Sequence, residues 1–336
     1  MTAAIPVELL MLPPLAVAAG VDLYLTLLFI GAAPTMGLWT LPLPGALGDL
    51  DSPQVLIMVG TFYLAELAAE RFAPAALVWN AFHAVIRPVS GALLALLLLD
   101  AQPLIVAVLG SLLGGGLASL AHGVRTGQWV LHGFGEREGP ARALVSLAED
   151  AAVLGLVSLS LDAPLWAFAV SVGAVAAASP LALSRVRAFA YAIRLGVDRV
   201  FRPLGLRKWR REDELPNWIS QAQRDGGESP VWTETLRGCP AGGWRLKGAP
   251  HFVTGWIIVR GDAPHFVFKN RRGVVRIELG SGDRGVVRDG DLYRRIDLDP
   301  DGSGAVLLVG WSGPSTESLE AELSRALSGG DKKENL

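Results

Sequence analysis

Long apolar runs alternate with short polar links up to about residue 183. A helix of about 20 apolar residues crosses the hydrocarbon core of a bilayer. The pattern predicts an all-α polytopic membrane bundle of about six transmembrane helices, at residues 12–34, 54–72, 82–99, 103–122, 143–161 and 164–183. The third is short, so we expect it to be tilted or partly re-entrant. The first has no Lys or Arg before it, which favours a retained span over a cleaved signal peptide.

Basic residues are confined to alternate links between these predicted spans. Arg71 and Arg125 lie in links on one side, whereas the links on the other side contain aspartates but no Lys or Arg. Positive residues tend to remain on the cytoplasmic side of a membrane. The pattern therefore predicts that both termini are cytoplasmic.

Residues 184–211 combine helical periodicity with many basic residues, from Arg185 to Arg211. Apolar residues recur there at helical spacing, at Val186, Phe189, Ile193, Val197 and Val200. This pattern is typical of an amphipathic helix that lies on the inner leaflet and binds anionic lipid. A plain helical linker is the alternative.

The remaining third of the chain has the pattern of a water-soluble domain. Residues 212–243 are rich in polar residues, Gly and Pro, which predicts a linker. Residues 244–328 predict a small β-rich cytoplasmic domain that ends in a helix at 315–327, and its order of elements resembles a pleckstrin-homology-like domain. Its predicted strands are residues 244–247, 251–260, 265–269, 273–279, 285–288, 291–297 and 305–311. We expect residues 329–336 to be a disordered tail.

The composition agrees with one region in lipid and a second region in water. The chain is 51% hydrophobic and 18% charged, against about 25% charged in soluble domains. The single cysteine, Cys239, excludes an intrachain disulfide. The net charge of −2 gives no sign of nucleic-acid binding. Because the chain has no metal-ligand spacing, phosphate loop or nucleophile motif, we predict no cofactor, metal or catalytic residue.

Ionisable residues inside the predicted spans are the main functional signal. Such groups are costly in hydrocarbon and usually mark function. The helical rise of 1.5 Å per residue places them at one level, the charge layer, formed by Asp22, Glu66, Arg87, Glu149 and Asp150. Four acids then face one arginine, and three interpretations are open: a structural clamp formed by Arg87 and two acids, binding of a proton or cation, and direct substrate binding. Secondary candidates nearer the inner face are Glu70, Arg71, His83 and His122.

The fourth predicted span is rich in small residues, with Gly110, Gly114, Gly115 and Ser119 at small-xxx-small spacing. Such residues let helices approach closely in lipid. The spacing predicts close packing, which would also suit a homo-oligomer. A flexible span that lines a pathway is the alternative.

Short motifs at residues 20–160 resemble an uncharacterised bacterial integral-membrane family, domain of unknown function 4126. They are Gly20-Val-Asp22-Leu-Tyr24, Glu66-Leu-Ala-Ala69-Glu70-Arg71, His83 with Ile86-Arg87-Pro88, Ala121-His122 and Ser146-Leu-Ala-Glu149-Asp150. The chain has Glu70-Arg71 where the family tends to have Asp-Lys, and Asn80 where it tends to have Asp. The resemblance implies a multi-pass protein of the bacterial inner membrane without an established activity.

These observations predict a transporter or channel for a small solute or cation that uses the charge layer. The alternative is a membrane-anchored scaffold or sensor whose cytoplasmic domain binds a partner or anionic lipid. An intramembrane enzyme is less favoured, because the sequence shows no set of catalytic residues.

Overall fold

The structure is a computed structural model that divides into two compact units, residues 1–189 (the helical unit) and 190–336 (the sheet unit). It describes residues 6–39, 43–71, 73–131, 140–200, 209–219, 237–247, 249, 252–260, 263–270, 273–279, 286–289, 293–298, 305–310 and 313–321.

The helical unit is built from apolar helices. They are α1 (Val7–Val21), α2 (Leu23–Thr35), a short 3-10 helix (Gly45–Asp51), α3 (Pro53–Ala69), α4 (Ala73–Leu98), α5 (Leu104–Leu131), α6 (Pro140–Asp162) and the first part of α7 (Pro164–Val200). Four described helices, α4 to α7, are long and apolar enough to cross a membrane. A fifth is added if the 3-10 helix and α3, which are bent by 79°, count as one span. The described residues thus form a multi-pass helical membrane protein, without confirming the predicted count of six.

The first predicted span, residues 12–34, is not one helix. Asp22 has an extended backbone (φ −141°, ψ 101°) that separates α1 from α2. Its Oδ1 accepts a hydrogen bond of 2.9 Å from the Leu25 amide, and so it caps the N-terminus of α2. The prediction of a continuous span was wrong here, because an apolar run does not record the backbone preference of one acidic residue within it.

The third and fourth predicted spans are longer than expected. Helix α4 begins at Ala73 rather than at residue 82, so the expected short span is a helix of 26 residues. Helix α5 extends to Leu131 rather than to residue 122. Arg125 therefore lies inside α5 and not in a link, which corrects the charge count of the predicted layer.

The glycines of α5 pack against helices of the same chain. A Cβ on Gly114 would lie 2.6 Å from the carbonyl oxygen of Gly91, and one on Gly115 would lie 2.8 Å from that of Pro88. A Cβ on Gly110 would collide with the side chain of Leu99. These residues make close helix contacts in the bundle, as small residues do in membranes.

Helix α7 does not end at residue 183 but continues to Val200, so no break separates the predicted last span from the predicted interfacial helix. Tyr191, Ala192 and Leu195 are buried on this extension, whereas Val197 of the predicted apolar face is 53% exposed. The hydroxyl of Tyr191 donates to the carbonyl oxygen of Leu308 at 3.2 Å, so this part of α7 packs within the sheet unit.

Among the described residues of the sheet unit, eight strands form one antiparallel sheet in the order β5-β4-β3-β2-β8-β7-β6, with β1 paired to β2. The strands are β1 (Arg210–Arg211), β2 (Arg237–Trp244), β3 (Phe252–Arg260), β4 (Ala263–Asn270), β5 (Gly273–Glu278), β6 (Val286–Asp289), β7 (Tyr293–Asp297) and β8 (Val306–Gly310). The last six coincide with predicted strands to within two residues. The predicted strand 244–247 was placed too late: β2 ends at Trp244, and its other residues lie inside the predicted linker 212–243.

Strand β2 was missed because its sequence, RGCPAGGW, has the composition of a loop. Its Gly242 is required by packing, since a Cβ there would lie 2.8 Å from the ring of Tyr191. Pro240 pairs with Trp256 of β3, and on its other side it lies between the residues of β2 that pair with β1 and those that pair with β8. Proline has no amide N–H to donate, and this is tolerated at Pro240 because the residue lies between two paired segments of β2 on that side.

The C-terminal helix is described only in part. Residues 316–321 are helical, and Leu319 is buried in the core of the sheet unit. The predicted helical residues 322–327, most of the predicted linker (220–236) and the predicted disordered tail (329–336) lie outside the described residues.

Candidate functional site: a buried charge network in the helical unit

Arg87 lies in the middle of α4 and is completely buried. Its Nη1 donates to the carbonyl oxygens of Gly20, at 2.6 Å, and Val21. These carbonyls belong to the last turn of α1, where a helix leaves its C=O groups without intrahelical partners. Its Nη2 donates to Oε1 of Glu66 at 2.5 Å. Arg87 therefore connects the break between α1 and α2 to a carboxylate on α3.

Glu66 is 2% exposed and is contacted by two arginines. Its Oε1 binds Arg87 and also lies 3.7 Å from Nη1 of Arg125. Its second oxygen, Oε2, is buried and has no hydrogen-bond partner among the described residues. A buried carboxylate oxygen without a partner is costly, and it is available to a proton, a cation or water.

Arg125 on α5 is the residue that the sequence analysis missed. Its Nη2 lies 3.0 Å from Oε1 of Glu70, and its Nε lies 2.8 Å from Oε2 of Glu149. With the contact to Glu66, it binds carboxylates from α3 and α6. Arg87, Arg125, Glu66, Glu70 and Glu149 thus form one connected set of ion pairs, which we call the charge network.

Asp22 and Asp150, both predicted members of the layer, lie outside these ion pairs. Asp22 is 4% exposed, and its Oδ1 is used to cap α2. Asp150 on α6 is partly exposed and accepts a hydrogen bond of 3.3 Å from the hydroxyl of Tyr63 on α3. In the described part of the chain, neither carboxylate has a salt bridge within 4.0 Å.

The secondary candidates divide into members and non-members of the charge network. Glu70 is a member, and Arg71 is exposed at the turn after α3. The Nδ1 of His83 lies 2.8 Å from the carbonyl of Trp79, so it carries the proton, and Nε2 accepts from the hydroxyl of Tyr24 at 2.9 Å. His122 donates from Nε2 to the carbonyl of Asn80 at 3.0 Å. The histidines are therefore buried hydrogen-bonding groups.

Even with Arg125 included, acids outnumber arginines in this region. Among the described residues, five acids, Asp22, Glu66, Glu70, Glu149 and Asp150, lie near two arginines, Arg87 and Arg125. The three glutamates contact these arginines, and the two aspartates do not. Within the described residues, no group of three or more His, Cys, Asp or Glu side chains could hold a metal ion.

Comparison with protein families supports the resemblance seen in the motifs. A family model described as a domain of unknown function (DUF4126) matches residues 9–183, a little over half of the 336 residues. The match includes every residue of the charge network. No curated protein matches the chain.

Proposed function

The chain belongs to the family of the domain of unknown function DUF4126, and from that premise we propose that its helical bundle transports or conducts a small solute or cation, with a proton or cation carried at Glu66. The observation that carries this proposal is the unpartnered Oε2 of the buried Glu66, inside a region with more acids than arginines. A purely structural ion pair would be expected to satisfy both oxygens of its carboxylate.

The break between α1 and α2 supports this assignment. Non-helical backbone within a membrane region is tolerated where it is buried in protein or lines a cavity. Many secondary transporters bind their ions and substrates at such discontinuous helices. Here the break at Asp22 lies beside Arg87, whose other partner is Glu66. The unpartnered Oε2 of Glu66 and the break between α1 and α2 therefore belong to one site.

The exposure of the acids provides a route toward that site. Asp150 and Glu149 on α6 are partly exposed, whereas Asp22 and Glu66 are almost completely buried. Asp150 accepts a hydrogen bond from Tyr63 on α3, the helix that also carries Glu66. In the proposed route a proton or cation meets the partly exposed Asp150 before it reaches the buried Asp22 and Glu66.

The proposed topology has six crossings in the bacterial inner membrane, with both termini in the cytoplasm. Six crossings follow if α1 with α2, and the 3-10 helix with α3, each count as one broken span beside α4 to α7. The orientation is supported by the exposed arginines Arg71, Arg187 and Arg194, which the positive-inside rule places in the cytoplasm.

The proposal is tested by flux in liposomes. The purified protein is reconstituted around a pH-sensitive dye, a potential is imposed, and proton influx is recorded; sodium and rubidium uptake are measured separately. We expect flux above that of empty liposomes, and we expect Glu66→Gln to abolish it. Asp100→Asn is the matched control, because Asp100 is an exposed acid in a link between helices.

Two results would count against transport. One is a wild-type flux equal to that of empty liposomes for all three ions. The other is a flux of Glu66→Gln equal to that of the Asp100→Asn control. Gel filtration and the Tm of each variant show whether a lost flux reflects a lost fold. If Glu66→Gln does not fold, Asp150→Asn tests the same route from its partly exposed end.

A second candidate function is binding of anionic lipid, as in a membrane-anchored scaffold or sensor. It is favoured by the exposed arginines Arg187 and Arg194 on α7 and by Arg210 and Arg211 of β1. We expect phosphatidylglycerol to raise the Tm of the full chain in neutral-lipid nanodiscs and Arg187→Gln/Arg194→Gln to reduce that rise. An equal rise in the double variant would contradict lipid binding through α7.

A further inference from the structure

The C-terminal end of α1 presents main-chain carbonyl oxygens inside the bundle. The amide of Asp22 still donates to the carbonyl of Ala18 at 2.8 Å, but the backbone then leaves the helical path. The carbonyls of Gly20 and Val21 instead accept from Arg87. The C-terminus of a helix carries partial negative charge, so this end of α1 favours a cation.

The groups around this helix end are oxygen atoms with negative charge or partial charge. They are the two carbonyls of α1 and the carboxylate of Glu66 on α3, which meet at the guanidinium of Arg87. Unwound carbonyls and half-helix C-terminal ends are the groups that coordinate Na⁺ or H⁺ in transporters with discontinuous helices. In this chain a side chain occupies the place of such an ion.

The place is built by the fold and is closed on its α5 side. A Cβ on Gly20 would lie 2.5 Å from the carbonyl oxygen of Ala118, so α1 can approach α5 only with glycine at this position. Arg87 itself is 0% exposed, and its guanidinium has no contact with bulk water. The partners of the guanidinium thus come from α1 and α3, and α5 packs directly against α1 at Gly20.

We infer that the break between α1 and α2 is a binding position for a monovalent cation, and that the chain fills it with the guanidinium of Arg87. An arginine retains its charge at all physiological pH values, so it acts as a tethered cation that cannot dissociate. Its removal leaves the carbonyls of Gly20 and Val21 and the carboxylate of Glu66 without their cation. A free cation of matching shape then binds at this position.

Guanidinium is the best free ligand, because its planar N–H donors reproduce those of Nη1 and Nη2 of Arg87, which bind the carbonyls and Glu66. Sodium and potassium are smaller and do not reproduce the donor directions, so we expect them to bind less tightly. The position is thus unavailable to free sodium or potassium in the wild-type protein. Because free sodium and potassium cannot occupy this position, the species carried at Glu66 is the proton, a consequence that rests on the proposed function.

The test measures ligand-dependent stability and does not depend on transport. The Tm of detergent-purified wild type, Arg87→Ala and the control Arg71→Ala is recorded in millimolar guanidinium chloride, sodium chloride or choline chloride at equal ionic strength. We expect Arg87→Ala to have a lower Tm than wild type and to recover several degrees, saturably, in guanidinium but not in choline. Wild type and Arg71→Ala should respond equally to all three salts.

Further variants test the site itself. Adding Glu66→Gln to Arg87→Ala should remove the saturable response to guanidinium. If Arg87→Ala does not fold, Arg87→Lys and Arg87→Met are compared instead, because lysine keeps the charge and methionine keeps only the bulk. The inference predicts that Arg87→Lys gives the more stable protein.

The inference is overturned if folded Arg87→Ala shows no saturable response to guanidinium. It is also overturned if choline or the wild-type protein gives the same response, or if Arg87→Met is as stable as Arg87→Lys. A failure here leaves the flux result of Glu66→Gln unaffected. Conversely, a saturable response to guanidinium in a protein without flux would support the cation position and reject transport.

Discussion

The Nε atom of Arg125 lies 2.8 Å from Oε2 of Glu149, a contact that joins α5 to α6 inside the helical unit. The Nη2 atom of the same guanidinium lies 3.0 Å from Oε1 of Glu70, the residue that follows α3, and its Nη1 lies 3.7 Å from Oε1 of Glu66 on α3. Arg125 thus links α3, α5 and α6 through ion pairs.

Loss of Arg125 should therefore destabilise the bundle strongly. We expect Arg125→Gln to lower the free energy of unfolding by about 3–5 kcal/mol, because removal of one partner leaves buried carboxylates uncompensated. Arg71→Gln, at an exposed position, should change it little. Thermal unfolding in detergent compares the two, and an equal Tm for both variants would show that the charge network does not hold the helices together.

Two glycines of α5, Gly114 and Gly116, have different surroundings, and their substitution by alanine tests the packing of the bundle. Gly114→Ala should cost about 1–3 kcal/mol through overpacking, because its Cβ would meet the backbone of Gly91. Gly116, two residues along, has no neighbouring atom within 4 Å of an added Cβ, so Gly116→Ala should gain about 0.5–1 kcal/mol through helix propensity. Both values are read from thermal unfolding. A destabilising Gly116→Ala would indicate that a second molecule covers this face.

The hydrogen bonds of Tyr24 and Tyr63 should differ in their contribution to stability. Tyr24→Phe leaves Nε2 of the buried His83 without its donor, and we expect a loss of about 1–3 kcal/mol. Tyr63→Phe removes a longer bond of 3.3 Å to the partly exposed Asp150, and should cost less than about 1 kcal/mol. Chemical denaturation of both variants measures the difference, and the reverse order would contradict the tautomer assigned to His83.

Cys239 should report on unfolding of the sheet unit. It is the only cysteine and is completely buried in β2. Burial raises the pKa of its thiol, so the reactive thiolate is scarce even at alkaline pH. We expect almost no labelling by a maleimide until the sheet is denatured, whereas Thr254→Cys, at an exposed position of β3, should label at once. Rapid labelling of the native wild-type protein would contradict this placement of β2.

Several features of the fold were predictable because they follow from periodicity. The apolar runs predicted the helices that became α3 to α7, and strand-like alternation predicted β3 to β8. Arg125 was missed because the end of α5 was placed where the hydropathy falls. The surplus of acids in the predicted layer was interpreted as a need for a proton, a cation or water, and Arg125 accounts for part of that surplus.

The break at Asp22 and the strand β2 depended on contacts that a sequence pattern does not show. Asp22 interrupts a helix because its carboxylate caps α2 and Arg87 binds the carbonyls thus released. Strand β2 tolerates glycine because the ring of Tyr191 lies where a side chain would be. In both cases a partner distant in sequence decides the local structure.

The continuity of α7 has a consequence for how the chain can be divided. The family match ends at residue 183, but the helix continues to Val200, and its residues Tyr191 and Leu195 are buried in the sheet unit. A cut at residue 183 divides α7 but leaves Tyr191 and Leu195 in the fragment that contains the sheet. A cut at residue 200 would instead remove both residues from that fragment, together with the hydrogen bond between Tyr191 and Leu308. The border of the family match and the border between the two compact units, which follows Phe189, therefore differ, and a fragment that contains the sheet should begin before Tyr191.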